Sequence, residues 1–375
     1  MKRTITTFLA ATVLMALMVP APQPAEAQAT CTLPPGFYDS GGSLGFVYPN
    51  DPLYSAQWGL RRIDIEVAWI RGASGKGARV AVLDTGLDYR HPDLLASAGP
   101  GIDLIEELSG TPDCPGAQDE TGHGTAVSGI IAAGTNNGIG IAGIAPKAKL
   151  LPIRVSGPNG LNASALVEGI RRATARKADV IFIGASQPAA PLWAAGGAEV
   201  PAELDAAIAE AWDKGAVLIA PAGDDSLPFC EHPAAHPRVV CVAAVAQTGV
   251  APYSNLPVHP GAGVALRAPG GMDGRSLNPV AACEDPGAIW TTTLAGSSAD
   301  CGGAIGGYDT DAGTAFAAAH VAGVAALLAG WRNDNEQIVT CLQSWSSNEG
   351  IYDPVMGYGE VDANAATINC PKRRR

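Results

Sequence analysis

Short apolar runs rich in β-branched residues alternate along the chain with segments whose apolar residues recur every three or four positions. The runs that predict strands are 79–83, 149–155, 179–183, 216–220 and 239–245. The segments that predict helices are 125–133, 204–214 and 314–329. Strands without polar alternation are typical of a sheet covered on both faces, and strand–helix alternation is typical of parallel crossovers. The pattern therefore predicts an α/β fold: a doubly wound, mostly parallel sheet with helices on both faces, in a single domain.

Composition excludes several classes of protein. Of the 375 residues, 47% are apolar and 16% are charged, so the chain can bury a full core and differs from a disordered polypeptide. The 46 glycines show no collagen-like period. The net charge is −12, without a long block of Lys and Arg. Because binding to nucleic-acid phosphates needs clustered positive charge, no nucleic-acid partner is expected.

The N-terminus has the layout of a secretory signal. Lys2 and Arg3 precede an apolar run at 8–19, and Ala25-Glu26-Ala27 provides a small-residue cleavage site. A buried N-terminal helix is the alternative. The run is too short to span a bilayer, and no later apolar run reaches the ~18 residues of a membrane span, so no membrane anchor is expected. We predict a secreted or periplasmic protein, divided into a signal peptide at 1–27, an extension at 28–50, one domain at 51–370 and a solvated basic tail at 371–375.

Eight cysteines fall in the predicted exported part: Cys31, Cys114, Cys230, Cys241, Cys283, Cys301, Cys341 and Cys370. An even number in an exported chain indicates disulfides, and eight cysteines allow 105 pairings. Local spacing favours pairing 230 with 241, 283 with 301 and 341 with 370, which leaves 31 with 114. A zinc site is the alternative, which the absence of any C-x-x-C pair disfavours.

Two polar residues stand where a parallel α/β sheet places its sites. Asp84 follows the strand pattern at 79–83, at a carboxyl end. His123 opens a helical pattern between Gly122 and Gly124, which let other backbone approach. Each motif alone is also typical of a structural turn or a structural histidine. Together they predict a pair in which the carboxylate fixes the imidazole tautomer and leaves the other nitrogen free as a base.

Longer motifs around these residues resemble the subtilisin-like serine proteases. They are NDPLYSAQWGLRRI, VLDTGLDYRHPDL, ETGHGTAVSGIIA, GIAPKAKLLPIRV, GTAFAAAHVAGVAALL and GYGEVDANAA. These motifs span about residues 51–370, in the order Asp, His, nucleophile that is also the order of subtilisin itself. The resemblance implies a subtilisin-like fold, peptide-bond hydrolysis, and Asp84 and His123 as two members of a catalytic triad.

The third member of the triad is missing. The family reads G-T-S-M-A-A-P-H-V-A-G where this chain reads GTAFAAAHVAG, so the resemblance places Ala315 at the nucleophile position. A methyl group has no lone pair and cannot attack a carbonyl. Thr314 carries the adjacent hydroxyl, but a side chain one residue earlier points elsewhere, and we do not expect it to substitute.

Two further positions depart from the family. Asp224 stands where an Asn normally donates a hydrogen bond to the developing oxyanion, and an ionised carboxylate repels such a charge. One active branch of the family nevertheless carries an Asp there. The substrate strand, M-S-L-G in the family, has Gly184, Ala185 and Ser186 in its last three places. Pairing with an extended peptide uses main-chain atoms and is expected to survive this change.

The resemblance also implies a structural calcium site. It would use two carboxylates, one amide and three backbone carbonyls, from Asp51, Asp93, Thr135, Asn137, Ile139 and Ile141. Hard oxygen ligands in this number suit Ca²⁺, and a solvated turn-rich loop is the alternative. The 28–50 extension is too short for the domain-sized propeptide that active members usually carry.

Three functions follow from these observations. The first is an exported subtilase-fold pseudoprotease that keeps the Asp–His pair, lacks the nucleophile, and binds a peptide or protein without cutting it. The second is a serine endopeptidase whose Ser is replaced by Ala in this sequence. The third is a structural component of the cell envelope without a usable cleft. The sequence defines neither the ligand nor the oligomeric state.

Overall fold

The computed structural model describes residues 48–109, 116–184, 202–258, 263–272, 287–295, 306–370 and 372, all within the unit Cys31–Arg375. The predicted signal peptide and nearly all of the extension and the basic tail lie outside the described residues. So do six predicted site residues: Cys31, Cys114, Ala185, Ser186, Cys283 and Cys301.

A parallel sheet forms the centre of the molecule. Its strands are β1 Arg79–Asp84, β2 Ile102–Asp103, β3 Lys149–Arg154, β6 Val180–Ile183, β7 Val217–Pro221, β8 Val239–Ala246, β9 Gly249–Val250 and β10 Ala265–Pro269. Their order across the sheet is β10-β8-β7-β6-β1-β3-β2, with the short strand β9 antiparallel beside β8. Two antiparallel pairs lie outside it: β4 Ser156–Gly157 with β5 Gly160–Leu161, and β11 Ile289–Thr292 with β12 Tyr308–Asp311.

Helices cover both faces of the sheet. They are α1 Trp58–Arg62, α2 Ile65–Ile70, α3 Leu104–Ser109, α4 His123–Ala132, α5 Ala163–Ala175, α6 Ala202–Asp213, α7 Thr314–Gly330, α8 Asn335–Ser344 and α9 Ala363–Asn369, with a short 3₁₀ turn at Tyr54–Ala56. None of the helices in the described ranges combines the length and apolar character of a membrane span.

Strand β1 shows why the strand sequences are apolar without alternation. Val80 and Val82 pack on one face with α4 and α7, and Ala81 and Leu83 pack on the other face with α5 and α6. All four side chains are fully buried. Burying a Val or Leu side chain contributes roughly 1.5–3 kcal/mol, so both faces stabilise the sheet. Helix α7 is buried on all sides from Thr314 to Leu328, which explains its lack of a polar stripe.

The predicted strands and helices are confirmed, with ends that differ by at most two residues. Several elements were not predicted. Strand β10 was not predicted because Arg267 interrupts its run of apolar residues. The structure buries this side chain completely, and its guanidinium donates to the carbonyl oxygens of Ala244 at 3.2 Å and of Val355. The antiparallel pair β11–β12 was not predicted either, nor were the antiparallel pairs β4–β5 and β8–β9.

Two disulfides lie in the described residues, and both are pairs that local spacing favours. Cys230 pairs with Cys241 and so ties the loop after β7 to strand β8. Cys341 pairs with Cys370 and joins α8 to the residue that ends α9. The other two proposed pairs stay predictions.

Candidate functional site

Five chain segments meet at the carboxyl edge of the sheet, as expected for a parallel α/β fold. Asp84 ends β1, Gly184 directly follows β6, and Asp224 lies three residues after β7. His123 begins α4, and Ala315 is the second residue of α7. The chain thus places at one edge residues separated by as many as 231 positions in sequence.

Asp84 and His123 form a direct pair. The Nδ1 atom of His123 lies 2.8 Å from Oδ1 and 3.0 Å from Oδ2 of Asp84. The N–H of Thr85 also donates to Oδ1, at 2.7 Å, which fixes the carboxylate. Asp84 is fully buried, whereas the His123 side chain is 31% exposed and reaches the cleft. Gly184 packs so closely on Oδ2 of Asp84 and on the ring of Phe182 that a side chain at this position would require one of them to move.

A second buried carboxylate braces this pair. Asp119 accepts hydrogen bonds from the N–H groups of Gly122 and Thr125, both at 2.9 Å, at the start of α4. Asp119 also accepts a hydrogen bond from the Thr85 hydroxyl at 2.9 Å. The same hydroxyl accepts a hydrogen bond from the N–H of Gly124 at 2.8 Å. Negative charge at a helix N-terminus is stabilising. This role was not predicted from the sequence, although an Asp just ahead of a helical pattern is a recognisable capping signal.

The surroundings of His123 determine the pKa of its imidazole. Burial acts to lower the pKa of His123, but attraction and hydrogen bonding to Asp84 outweigh it, and Asp311 and Asp119 add to them. The result is a pKa raised from 6.5 to about 9. Pairing with Asp84 thus favours the protonated form of the imidazole.

The first three residues of α7 are Thr314, Ala315 and Phe316. Ala315 is 2% exposed and carries only its methyl group. Thr314 is fully buried, and its hydroxyl accepts the N–H of Gly223 at 3.2 Å, so it faces β7. Phe316, where the family has Met, stacks edge-to-face against His123 with ring centroids 5.8 Å apart. The role of Phe316 was not predicted.

Asp224 lies at the same helix start. Its Oδ1 accepts the N–H of Thr314 at 2.8 Å. Asp225 and Glu231 lie close enough to interact with it electrostatically, and we call these three residues the acidic group. Burial, Asp225 and Asp224 all raise the pKa of Glu231. Within the described ranges, no Lys, Arg or His nitrogen comes within 4.0 Å of their carboxylates.

The residues predicted to bind calcium are mostly brought together. Asp51 accepts the N–H groups of Asn136 at 2.7 Å and Asn137 at 3.0 Å. Asp93 accepts the Asn137 amide at 2.7 Å and the N–H of Ile141 at 3.2 Å. Asp93 also accepts the hydroxyl of Tyr308 at 3.1 Å, a contact that the sequence did not predict.

The remaining two members of the set lie in the same loop. The Thr135 hydroxyl pairs with the backbone of Gly143, and the N–H of Ile139 donates to the Asn137 side-chain oxygen at 3.0 Å. Asp51 and Asp93 are 4% and 1% exposed, and burial, to which the Asp51 charge adds, raises the pKa of Asp93 to about 7. Two buried carboxylates without a neighbouring Lys or Arg in the described chain fit a hard cation. A metal ion would replace several of the N–H and O–H donors that now satisfy these oxygens.

Comparison with known proteins agrees with this architecture. The profile of the subtilase family matches residues 75–350. Thermitase of Thermoactinomyces vulgaris is 34% identical over 320 residues, which cover 85% of this chain and 98% of thermitase. Subtilisin BL of Lederbergia lenta is 31% identical over 318 residues, 84% of this chain and 99% of subtilisin BL.

A solved structure extends the likeness to the fold. A protease from Pseudoalteromonas arctica PAMC 21717 superposes with a TM-score of 0.71 at 30% identity, covering 87% of this chain and all of the other. The family profile and the two relatives indicate the same family. The placement of Asp84 and His123 at the carboxyl edge of a parallel sheet is consistent with it. The chain belongs to the subtilase family.

Proposed function

We propose that this subtilase-family protein is an exported pseudoprotease that holds a peptide or protein segment in its cleft without cleaving it. The observation that carries the proposal is Ala315, in the nucleophile position of the family motif at the head of α7. In subtilisin, a member of the same family, loss of the serine costs about 10⁶-fold in turnover, and a loss of that size leaves activity too low for digestion.

The proposal is tested with the purified mature chain, unfolded casein and a fluorophosphonate probe. We expect intact casein and an unlabelled protein after prolonged incubation. Covalent labelling in the cleft, or casein cleavage that disappears in a His123→Ala variant, would falsify it. The His123→Ala variant is the control for contaminating proteases, because it removes only the imidazole of the cleft.

A second candidate function is peptide-bond hydrolysis by a serine endopeptidase whose Ser is Ala in this sequence. The intact Asp84–His123 geometry, with its 2.8 Å contact, favours it. The codon for residue 315 in the native gene separates the two functions: a Ser codon would replace the pseudoprotease by the endopeptidase.

A third candidate, a structural component of the cell envelope, needs no cleft. Binding of a peptide library that is weakened by Ser186→Pro, which removes a main-chain N–H of the proposed substrate strand, would contradict this third function. Binding that is unaffected by this variant would favour it over the pseudoprotease.

The proposed function also includes export from the cytoplasm and a structural calcium ion. The signal-like segment at 1–27 supports a secreted or periplasmic location. The buried carboxylates of Asp51 and Asp93 support a structural Ca²⁺ in the 135–141 loop, with Asn137 as the third side-chain ligand. Such an ion would neutralise the two charges and fix the loop, away from the Asp84–His123 pair.

A further inference from the structure

We infer that Thr291 and Thr292 of β11 are positioning residues for His123: their two hydroxyls hold the first turn of α4, and through it the imidazole, in contact with Asp84. The inference rests on the proposed function only in taking the cleft at the Asp84–His123 pair as the functional site. The two hydroxyls bond to the helix backbone and not to the imidazole, so both threonines act through α4.

Two hydrogen bonds join the strand to the helix. The Thr292 hydroxyl donates to the main-chain carbonyl oxygen of Thr125 at 2.7 Å. The Thr291 hydroxyl donates to the main-chain carbonyl oxygen of Ala126 at 2.5 Å. These carbonyls belong to the third and fourth residues of α4, which begins at His123. A carbonyl oxygen has two lone pairs, so it can accept a hydroxyl in addition to its partner within the helix. Both threonines are buried, which strengthens the two bonds.

Strand and helix approach each other closely at this point. A Cβ atom added to Gly129 of α4 would lie 2.3 Å from Oγ1 of Thr292 and 3.0 Å from its Cγ2. Only glycine therefore fits at position 129 without a shift, and the Thr292 side chain packs directly on the helix backbone. A contact this close leaves little room for α4 to move relative to β11.

A further connection closes a ring of hydrogen bonds around the head of α4. The main-chain N–H of Ala295, just beyond Thr292 in the chain, donates to Oδ2 of Asp88 at 2.7 Å. The N–H of Asp88 in turn donates to the hydroxyl oxygen of Thr125 at 2.9 Å. Asp88 lies in the loop that follows β1. The ring therefore fixes β11, the first turn of α4 and this loop relative to one another.

This ring determines the geometry of the Asp84–His123 pair, because Asp84 ends β1 and His123 begins α4. Removing one threonine hydroxyl leaves the head of the helix held by fewer bonds. The Nδ1 atom of His123 now lies 2.8 Å from the nearer oxygen of Asp84. At an effective dielectric constant of about 20, lengthening this contact by ~1 Å would lower the pKa of His123 by ~1. The pKa of the imidazole therefore reports on the position of α4.

NMR titration of the His123 ring in the purified mature chain measures this effect without ligand or catalysis. Thr292→Val and Thr291→Val each remove a hydroxyl and keep the branched shape, and Thr292→Ser keeps the hydroxyl. The matched control is Thr174→Val on α5, on the other face of the sheet, because the Thr174 hydroxyl also donates to a helix carbonyl, that of Ile170 at 2.8 Å. Every variant keeps the charged groups that act on the imidazole, which are Asp84, Asp119, Asp224 and Asp311.

We expect Thr292→Val to lower the pKa of His123 by ~1 and Thr291→Val to change it in the same direction. Thr292→Ser should retain the wild-type pKa, because the donor is still present. Thr174→Val should lower the melting temperature and leave the pKa of His123 unchanged. This combination separates a positioning role from a general contribution to stability.

An unchanged pKa of His123 in both folded valine variants, or an equal decrease in Thr174→Val, would overturn the inference. Melting curves check that each variant is folded. If neither valine variant folds, the wild type decides: the hydroxyl protons of Thr291 and Thr292 should exchange slowly enough with water to give NMR signals, and rapid exchange of both would overturn the inference. Casein cleavage by the wild type would contradict the proposed function and leave this inference intact, so the two failures are distinguishable.

Discussion

Asp84 holds His123 through both of its carboxylate oxygens, with His123 Nδ1 at 2.8 and 3.0 Å from them. In the family motif a serine hydroxyl is the next group in this series, and we propose that Ala315 at the start of α7 takes its position. The pair is therefore a buried carboxyl group in contact with a partly exposed imidazole, whose pKa is raised to about 9. The pKa of this imidazole can be measured.

The first prediction concerns this proton. Asp84→Asn should lower the pKa of His123 from about 9 toward its ordinary 6.5 or below, because the main attractive charge is lost while burial remains. A folded pKa above the unfolded value gives stability that is fully present below 6.5 and is lost as pH rises through about 9. NMR titration of the His123 ring measures the shift, with Asp205→Asn near His236 as a control. An unchanged pKa would refute the electrostatic explanation.

A second prediction concerns His320, a buried histidine on α7. Its Nδ1 hydrogen bonds with the carbonyl oxygen of Phe316 at 2.8 Å, and burial lowers its pKa to about 4. The unfolded chain therefore binds this proton first, so stability is fully present above 6.5 and falls as pH drops toward 4, by up to ~3 kcal/mol.

Urea unfolding over an acid pH series measures this loss. His320→Gln removes the titrating group and should flatten the profile, although the variant itself is less stable. The matched control is His236→Gln on the same profile, because His236 lies near the surface beside Asp205. Identical slopes for His320→Gln and the wild type would show that another group causes the acid sensitivity.

The third prediction concerns calcium. An ion bound only by the native state stabilises it by ~2.7 kcal/mol at a hundredfold excess over its dissociation constant. A chelator is therefore expected to lower the melting temperature by several degrees, and Asp93→Asn to abolish that sensitivity. Asp213→Asn, an exposed change of the same charge, is the control. Coincident melting curves with chelator and with excess calcium would contradict the prediction. They would mean that the hydrogen bonds from Asn137 and Tyr308 to Asp93 stabilise the loop without a bound ion.

The fourth prediction concerns ligand charge. The acidic group of Asp224, Asp225 and Glu231 lies beside the head of α7, so peptides with Lys or Arg should bind more tightly than their Glu counterparts. Added salt should reduce the difference, because it screens exposed charges. Binding of matched peptides to the wild type and to Asp225→Asn measures this effect, and Glu203→Gln on α6 controls for net charge. Equal binding of basic and acidic peptides would contradict the prediction.

Local patterns identified the sheet, α4, α7 and the Asp84–His123 pair, because apolar runs and short motifs carry that information in sequence. They could not identify partners brought together by folding. Tyr308 donates a hydrogen bond to Asp93 although the two residues are 215 positions apart, and no motif around either residue indicates this contact. Arg267 shows the same limit for the fold, since its burial depends on carbonyl acceptors in distant segments. The family motif indicates Asp224, but its contact with the Thr314 N–H joins segments that are 90 positions apart in sequence.

The central claim is binding without cleavage, and one measurement tests it most directly. A peptide selected from a library is titrated calorimetrically into the wild-type protein, incubated in the complex, and then recovered for intact-mass analysis. We predict saturable binding and recovery of the peptide at its original mass, in the wild type and in His123→Ala alike. Recovery of two fragments whose masses sum to that of the peptide plus one water, from the wild type but not from His123→Ala, would contradict the claim.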